Sequence, residues 1–415
     1  MSQYYRIPLI LLVVFAAVLA LGFYALGASG ALAAVIPWLG SSVAGLMKDA
    51  LFVPLRPVMY ALIILSIGAS VATSTGGLGA KFARVLGFFV LFSLIGVVVA
   101  VGAYSLFPDI GVFESPQGLG LGGGGVMEPI PFPAKIYGVL TSPLMISIYG
   151  GLLLGRALQR LEATRPGIGR EADAVSDLFI AGFIKFLWIT IPLAVFGSLT
   201  LAFANESGMA QLGRLLKLLP VYLGAMAVVW AAMILIASRV LGHGLGHMFR
   251  ALLPQATVAL ATSSSMATLP ATRIACDQLG ADADEATPFY TIGATVNMVG
   301  TLMGLTLISL YGMNSFGVEA GIADRFVVAF QSMVYATSAA GVPSSSVVLL
   351  QEILTSQGVT LDYGEYIVGL IITLDTLVLD RMRTILNTQS DSMSTASGLK
   401  TYYRKPEVLR TEAAE

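Results

Sequence analysis

Five residues near the C-terminus carry chemistry that an apolar chain has little reason to contain. At about 100° per residue, Asp380, Arg383, Thr384, Asn387 and Asp391 share one helical sector roughly 100° wide. Arg381 lies to one side of it. A guanidinium presents a planar fork to a carboxylate. A buried aspartate suits an ammonium, and the oxygens of Asn387 and Asp391 suit a hard cation. Placing one charge at the centre of a membrane helix costs about 2.5–3.5 kcal/mol, and such charges face a bundle interior or a cavity. A structural ion-pair network, Asp380 with Arg383 or Arg381, is the plainer reading of the same residues. Asn387 and Asp391 on that face favour a ligand site.

Two serine runs sit in mirrored positions. Ser263, Ser264 and Ser265 belong to TSSSMATLP, and Ser344, Ser345 and Ser346 to GVPSSSVVLL. Each interrupts an uncharged stretch and is followed by a helix with an asparagine near its middle, Asn297 or Asn387. Backbone released from a helix at membrane depth must be buried in protein or line a wet cavity. Two such breaks in corresponding positions predict a pair of helical hairpins whose tips meet near the midplane, the pointer to a transporter site. Two ordinary helices with serines at a packing face are the competing reading.

The elements that must position these residues follow from composition. Of 415 residues, 56% are hydrophobic and 11% charged, with a net charge of -1. An ordinary soluble domain has about 25% charged residues, so a soluble enzyme, a disordered chain and a nucleic-acid binder are excluded. The single cysteine, Cys276, allows no internal disulfide and no thiolate metal cluster. Stretches free of charge run over 7–47, 57–80, 85–108, 136–155, 186–205, 218–238, 251–272, 286–318 and 326–351, and a last apolar helix begins near Tyr366. The first is expected to be a transmembrane helix and not a signal peptide. Basic residues after the second, fourth and sixth spans (Lys81 and Arg84; Arg156 to Arg170; Arg239 and Arg250) and in the tail place both termini in the cytoplasm. The loop 109–134, acidic and glycine-rich, is expected to be irregular and external.

Four segments resemble the dicarboxylate/amino acid:cation symporter family: TSSSMATLPAT, TIGATVNMVGT at 291–301, AAGVPSSS at 339–346 and LDRMRTILNTQSD at 379–391. The N-terminal half is similar mainly in span count and in ITIPLAVFGSL at 189–199. The resemblance implies an all-α polytopic membrane protein with eight transmembrane helices and two re-entrant hairpins. It also implies a homotrimer working as an elevator. Residues 1–240 would be mainly scaffold, with the third and sixth helices joining the transport part, 241–398 the transport core and 399–415 a cytoplasmic tail. By the same resemblance Asp380 binds an ammonium and Arg383 a side-chain carboxylate. Asn387, Thr384, Ser264 and Ser265 hold the main-chain carboxylate, while Thr301, Ser346 and Arg381 line the pocket. One sodium site is implied at Gly293, Asn297, Asn387 and Asp391, and a second at Thr295, Ala336, Thr337 and Ala339.

The departures from that pattern carry information. Asn297-Met298-Val299-Gly300 stands where the family has NMDG, so the aspartate of a third sodium site is missing and fewer than three sodium ions per substrate are expected. Leu305 replaces the proton-carrying glutamate of animal members, and the second serine run replaces glycines at the outer hairpin tip. The implied function is sodium-coupled symport of an acidic amino acid in the inner (plasma) membrane, with no cofactor and no nucleic acid partner. Asp380 argues against a C4-dicarboxylate carrier and Arg383 against a neutral amino acid carrier. A proton-coupled variant and an anion channel are also compatible with the resemblance. An enzyme is not expected. His243 and His247 are four apart but have no third ligand nearby, and the chain lacks a GxSxG elbow.

Overall fold

The computed structural model describes residues 9–28, 43–73, 79–115, 131–203, 208–339 and 346–400. The described residues are helical and contain no strand. Helices α1 (Leu9–Ala28), α2 (Ala44–Thr73), α3 (Gly79–Leu106), α4 (Phe132–Leu140), α5 (Pro143–Glu162), α6 (Ile168–Phe203), α7 (Gly208–Leu216) and α8 (Leu218–Leu241) form the N-terminal half. The C-terminal half holds α9 (Leu245–Thr262), α10 (Ser265–Gln278), α11 (Ala283–Val296), α12 (Val299–Ser315), α13 (Ile322–Ala336), α14 (Ser346–Ser356) and α15 (Leu361–Leu374). A π-turn, Asp375–Leu379, joins α15 to α16 (Asp380–Leu399).

Among the described residues five stretches are long and apolar enough to cross a membrane, and a sixth if α4 and α5, bent by 47°, count as one span. Two helices reach further than the charge-free stretches predict. Helix α2 begins at Ala44 instead of Pro57 and carries Lys48 and Asp49 inside it; α6 begins at Ile168, well before Phe186. Charge does not end a helix where it finds a partner. Lys48 Nζ donates to Glu365 of α15 at 3.0 Å. The glycine run of the loop 109–134 lies outside the described residues.

The helices pack in two groups. Helices α1, α2, α5 and α6 lie against one another. Helix α16 is enclosed by α3, α8, α9, α10, α11 and α12, and every residue from Leu386 to Leu399 is buried. That helix is polar, with Ser390, Ser392, Ser394, Thr395 and Ser397 all inside. Glutamines fasten it to its neighbours. Gln255 of α9 donates to the Thr388 carbonyl at 2.6 Å and to Thr272 Oγ1 of α10 at 2.8 Å, and Gln389 donates to the Leu252 carbonyl at 3.0 Å.

A buried ion pair ties α4 to α13. Lys135 Nζ donates to Asp324 Oδ1 at 2.7 Å with the lysine side chain only 7% exposed. Asp324 Oδ2 also accepts from the Gly321 backbone N–H at the start of α13. Asp324→Ala removes a helix cap and strands a buried ammonium, so a loss of about 3–5 kcal/mol is expected. Adding Lys135→Met should recover much of it, because removing both charges leaves neither unpaired. Thermal unfolding of the two variants in detergent checks this; a double variant no more stable than Asp324→Ala would refute it.

Candidate functional site

The polar sector of α16 meets the break between α9 and α10, the start of α14 and the break between α11 and α12. Arg383, 2% exposed, is held by two carboxylates and a hydroxyl. Its Nη1 donates to Asp375 Oδ1 at 2.6 Å and its Nη2 to Asp375 Oδ2 at 3.0 Å, a two-bond fork. Nη2 also donates to Asp380 Oδ1 at 2.9 Å and to Ser346 Oγ at 2.7 Å. Ser346 is the first residue of α14, so the second serine run reaches the site; Ser344 and Ser345 lie outside the described residues. The plainer reading of these charges, an ion pair of Asp380 with Arg383, holds in part, but the closer carboxylate is Asp375. A plain helical wheel hides it, since residues eight apart are about 80° out of line. The π-turn accommodates one extra residue, so the pair behaves as i, i+7, about 20° out of line.

Asn387 organises the middle of the site. Its Oδ1 accepts from the backbone N–H of Gly300 at 2.7 Å and of Thr301 at 3.3 Å. Its Nδ2 donates to Thr301 Oγ1 at 3.0 Å and faces Met298 Sδ at 3.2 Å. These donors belong to the first turn of α12, whose N–H groups have no partner within the helix. Asn297 is therefore not in mid-helix as predicted. The helix stops at Val296 and restarts at Val299, and Asn387 caps the restart from another helix. Close approach makes this possible. A Cβ on Gly300 would lie 2.6 Å from the Arg383 carbonyl oxygen and 2.8 Å from its Cα.

One turn further along α16, Asp391 is 1% exposed. Asn297 Nδ2 donates to Asp391 Oδ1 at 2.9 Å and to Ser390 Oγ at 2.8 Å, while Asn297 Oδ1 is buried without a hydrogen-bond partner. Gly293 faces the same carboxylate, and a Cβ there would stand 2.6 Å from Asp391 Oδ1. A carboxylate and an orphaned amide oxygen beside a helix end are a donor set for a hard monovalent or divalent cation. Asn387 points away, toward α12. Val299 is fully buried against Gly96 of α3, so the residue that replaces an expected acid fills an apolar contact.

The remaining predicted residues form two sets. Ser263, left-handed at φ 51°, and Ser264 separate α9 from α10, and Ser264 Oγ caps α10 by accepting from the Ala267 N–H at 3.3 Å. Ser265 follows, buried, at the first turn of α10. Arg381 leans on the other limb, its Nη1 donating to the Leu260 and Ala261 carbonyls that end α9, a favourable place for a cation. Thr384 donates to the Asp380 carbonyl at 2.8 Å. Thr295 and Thr337 each turn back on their own segments, to the Ile292 and Val334 carbonyls, and the Ala336 carbonyl accepts from the Ala339 N–H. His243 and His247 lie near the end of α10, Nε2 of each paired with a carbonyl, Leu279 or Gln278. Among the described residues no group of three His, Cys, Asp or Glu gathers as a metal site.

The sequence profile of the sodium:dicarboxylate symporter family matches residues 9–397. The chain belongs to that family. This makes it a multi-pass membrane symporter, as the resemblance implied. Among its relatives is the serine/threonine transporter SstT of Bifidobacterium adolescentis, 25% identical over 352 residues, which cover 80% of this chain and 77% of the relative. The serine/threonine transporter SstT of Acinetobacter baumannii is 25% identical over 354 residues, 83% and 86% of the two chains. The names of both relatives refer to amino acids without a side-chain carboxylate, so the expected preference for acidic substrates gains no support from them. In this symporter the sequence reading missed Asp375, Met298 and Tyr222. The Tyr222 hydroxyl of α8 is buried without a hydrogen-bond partner. It lies beside Arg383, since a Cβ on Gly304 would stand 2.7 Å from that hydroxyl and 2.9 Å from Arg383 Cδ.

Proposed function

We propose that this symporter couples sodium entry to the uptake of a small neutral amino acid. The observation that carries the reading is the pair of carboxylates on Arg383. Asp375 and Asp380 both accept from its guanidinium. Asp380, with 11% of its side chain exposed against 2% for Asp375, is the carboxylate that the ammonium of an α-amino acid reaches. Its carboxylate fits the N-terminal end of α10 at Ser264 and Ser265, where the helix dipole attracts an anion. An acidic substrate brings a second carboxylate toward a guanidinium that already faces two. The expected acidic preference therefore gives way to a serine- or threonine-sized zwitterion, in keeping with the names of the relatives. A C4-dicarboxylate has no ammonium to offer Asp380.

The rest of the reading follows the family. Eight spans and two re-entrant hairpins, α9–α10 and α13–α14, sit in the inner membrane with both termini cytoplasmic. The α16-centred group moves as an elevator against a homotrimeric scaffold. Sodium binds at Asp391, Asn297 and Gly293, and at Thr295 with the backbone of Ala336, Thr337 and Ala339. With Val299 at the third position, fewer than three ions accompany each substrate.

A thermal-shift screen of the purified protein tests the reading, using serine, threonine, alanine, aspartate, glutamate and succinate with and without sodium. Ligand at a hundredfold excess over Kd stabilises the native state by about 2.7 kcal/mol. Serine or threonine should raise Tm, and more so with sodium. Tighter binding of aspartate, glutamate or succinate than of serine overturns the proposal.

A further inference from the structure

Beyond Asp391 the last turns of α16 are polar and yet enclosed. Ser390, Ser394 and Ser397 stand at i, i+4 and i+7, a ridge about 60° wide at about 100° per residue. Thr395 adjoins it, one turn after Asp391. All four are buried, and the hydroxyls of Ser394, Thr395 and Ser397 have no hydrogen-bond partner in the protein. Hydroxyls elsewhere on the same helix behave differently. Thr384 and Thr388 donate to the carbonyl four residues back, and Ser392 donates to Gln255 Oε1 at 2.9 Å. Small apolar residues suffice where helices only pack closely, as Gly398 does against the Val85 backbone. A buried hydroxyl needs a partner, and where the protein supplies none, water or an ion does.

We propose that these hydroxyls line a hydrated path along which the cation held at Asp391 exchanges with the cytoplasm. This rests on the sodium reading above and gives the ion its route. The path begins at the site itself. Asn297 Nδ2 donates to Ser390 Oγ at 2.8 Å and to Asp391 Oδ1 at 2.9 Å, so the first hydroxyl of the ridge shares a donor with the carboxylate. Successive ridge positions rise about 6 Å and then about 4.5 Å along the axis. One water making two hydrogen bonds of about 2.8 Å spans about 5.6 Å, so single waters can join neighbouring hydroxyls. Two other directions from Asp391 are shut. Gly293 packs against the carboxylate, and a Cβ there would also stand 3.0 Å from Phe89 Cζ of α3. Asn387, on the substrate side, turns to α12. Toward the cytoplasm, Lys400 lies only about 13 Å from Asp391 along the axis. There Gly398 meets Val85 of α3, and one turn before Val85, Lys81 pairs with Glu285 of α11. These two side chains are 37% and 30% exposed, so solvent reaches this end of the enclosure.

The test separates rate from affinity in the full-length purified protein. Trp230 of α8 donates its indole N–H to Gln389 Oε1, beside Ser390, and its fluorescence in stopped flow follows sodium binding and release. The hydroxyls meet the ion in transit and not at rest. Ser394→Ala combined with Ser397→Ala should therefore slow binding and release together, on the order of tenfold, and leave the sodium midpoint of Tm within about twofold. Alanine at an unpartnered hydroxyl breaks no bond within the protein, and Ser394→Ala alone decides the matter if the double variant fails to fold. Ser392→Ala, which loses the bond to Gln255, is the control and should lower Tm with wild-type rates. A wild type whose Tm ignores sodium defeats the sodium reading. A sodium-responsive wild type with unchanged rates in the double variant defeats the path alone, and a raised Tm beside those rates would show the hydroxyls to be dry. A sodium midpoint shifted in step with only one of the two rates places the hydroxyls in the resting site and overturns the path as well.

Discussion

Asp391→Asn is expected to weaken the response to sodium sharply. The carboxylate is buried against Asn297, whose Oδ1 has no hydrogen-bond partner, and Gly293 packs directly against it. An asparagine keeps the shape and the contact with Asn297 Nδ2 but contributes only a neutral oxygen. A dehydrated cation depends on the charge, because neutral oxygens alone repay little of its lost hydration. Losing one charge from a buried, charge-paired site costs about 3–5 kcal/mol. Apparent substrate affinity in sodium should therefore fall on the order of a hundredfold or more, each 1.4 kcal/mol being a factor of ten. Sodium titration of Tm measures it directly. A variant with the wild-type sodium response would remove Asp391 from the site, and a wild type whose uptake follows pH and ignores sodium would make the coupling ion a proton.

Gly300→Ala should be as damaging without touching any charge. The added methyl would meet the backbone of Arg383, with its carbonyl oxygen at 2.6 Å, its Cα at 2.8 Å and its carbonyl carbon at 3.0 Å. Backbone in the middle of an enclosed helix cannot swing aside as a side chain can. The clash must separate α12 from α16 and break the two bonds that Asn387 accepts from Gly300 and Thr301. Overpacking of a tight core typically costs about 1–3 kcal/mol, and the lost cap adds about 1 kcal/mol. Both Tm and serine binding should drop sharply. Gly102→Ala is the control. It lies in α3 with nothing within 4 Å of the added methyl, and should be neutral or stabilising by about 0.5–1 kcal/mol. Equal Tm values for the two variants would disprove the close-approach argument.

These two sites show how far the sequence could be read. Asp380, Arg383, Thr384, Asn387 and Asp391 announced themselves by period, and the Ser263–Ser264 break by polar residues in an apolar stretch. Asp375 did not, because a π-turn shifts every residue before it by one position and no residue type marks such a turn. The restart of the helix at Val299 was equally hidden, since the group that caps it, Asn387, lies 87 residues from Gly300. Helix ends were read too short wherever charges appeared, as at Lys48, because its partner Glu365 lies in another part of the chain. Local pattern reports what a segment can do by itself. These three features were settled by contacts that only the folded chain brings together.

The enclosure of α16 bears on how the protein is made. Asp375, Asp380, Arg381, Arg383, Asn387 and Asp391 lie on and just before α16, which leaves the ribosome after the helices that enclose it, and a run of buried serines follows them. At about 2.5–3.5 kcal/mol for each charge near the centre of a span, that segment cannot partition into lipid by itself. It can enter only when α3, α8, α9, α10, α11 and α12 already stand around its path. Insertion is therefore ordered, with the N-terminal helices acting as an intramolecular chaperone for the last. Damage to those early helices should leave α16 stranded outside the bilayer and open to quality-control proteases, even when every residue that would touch substrate is intact.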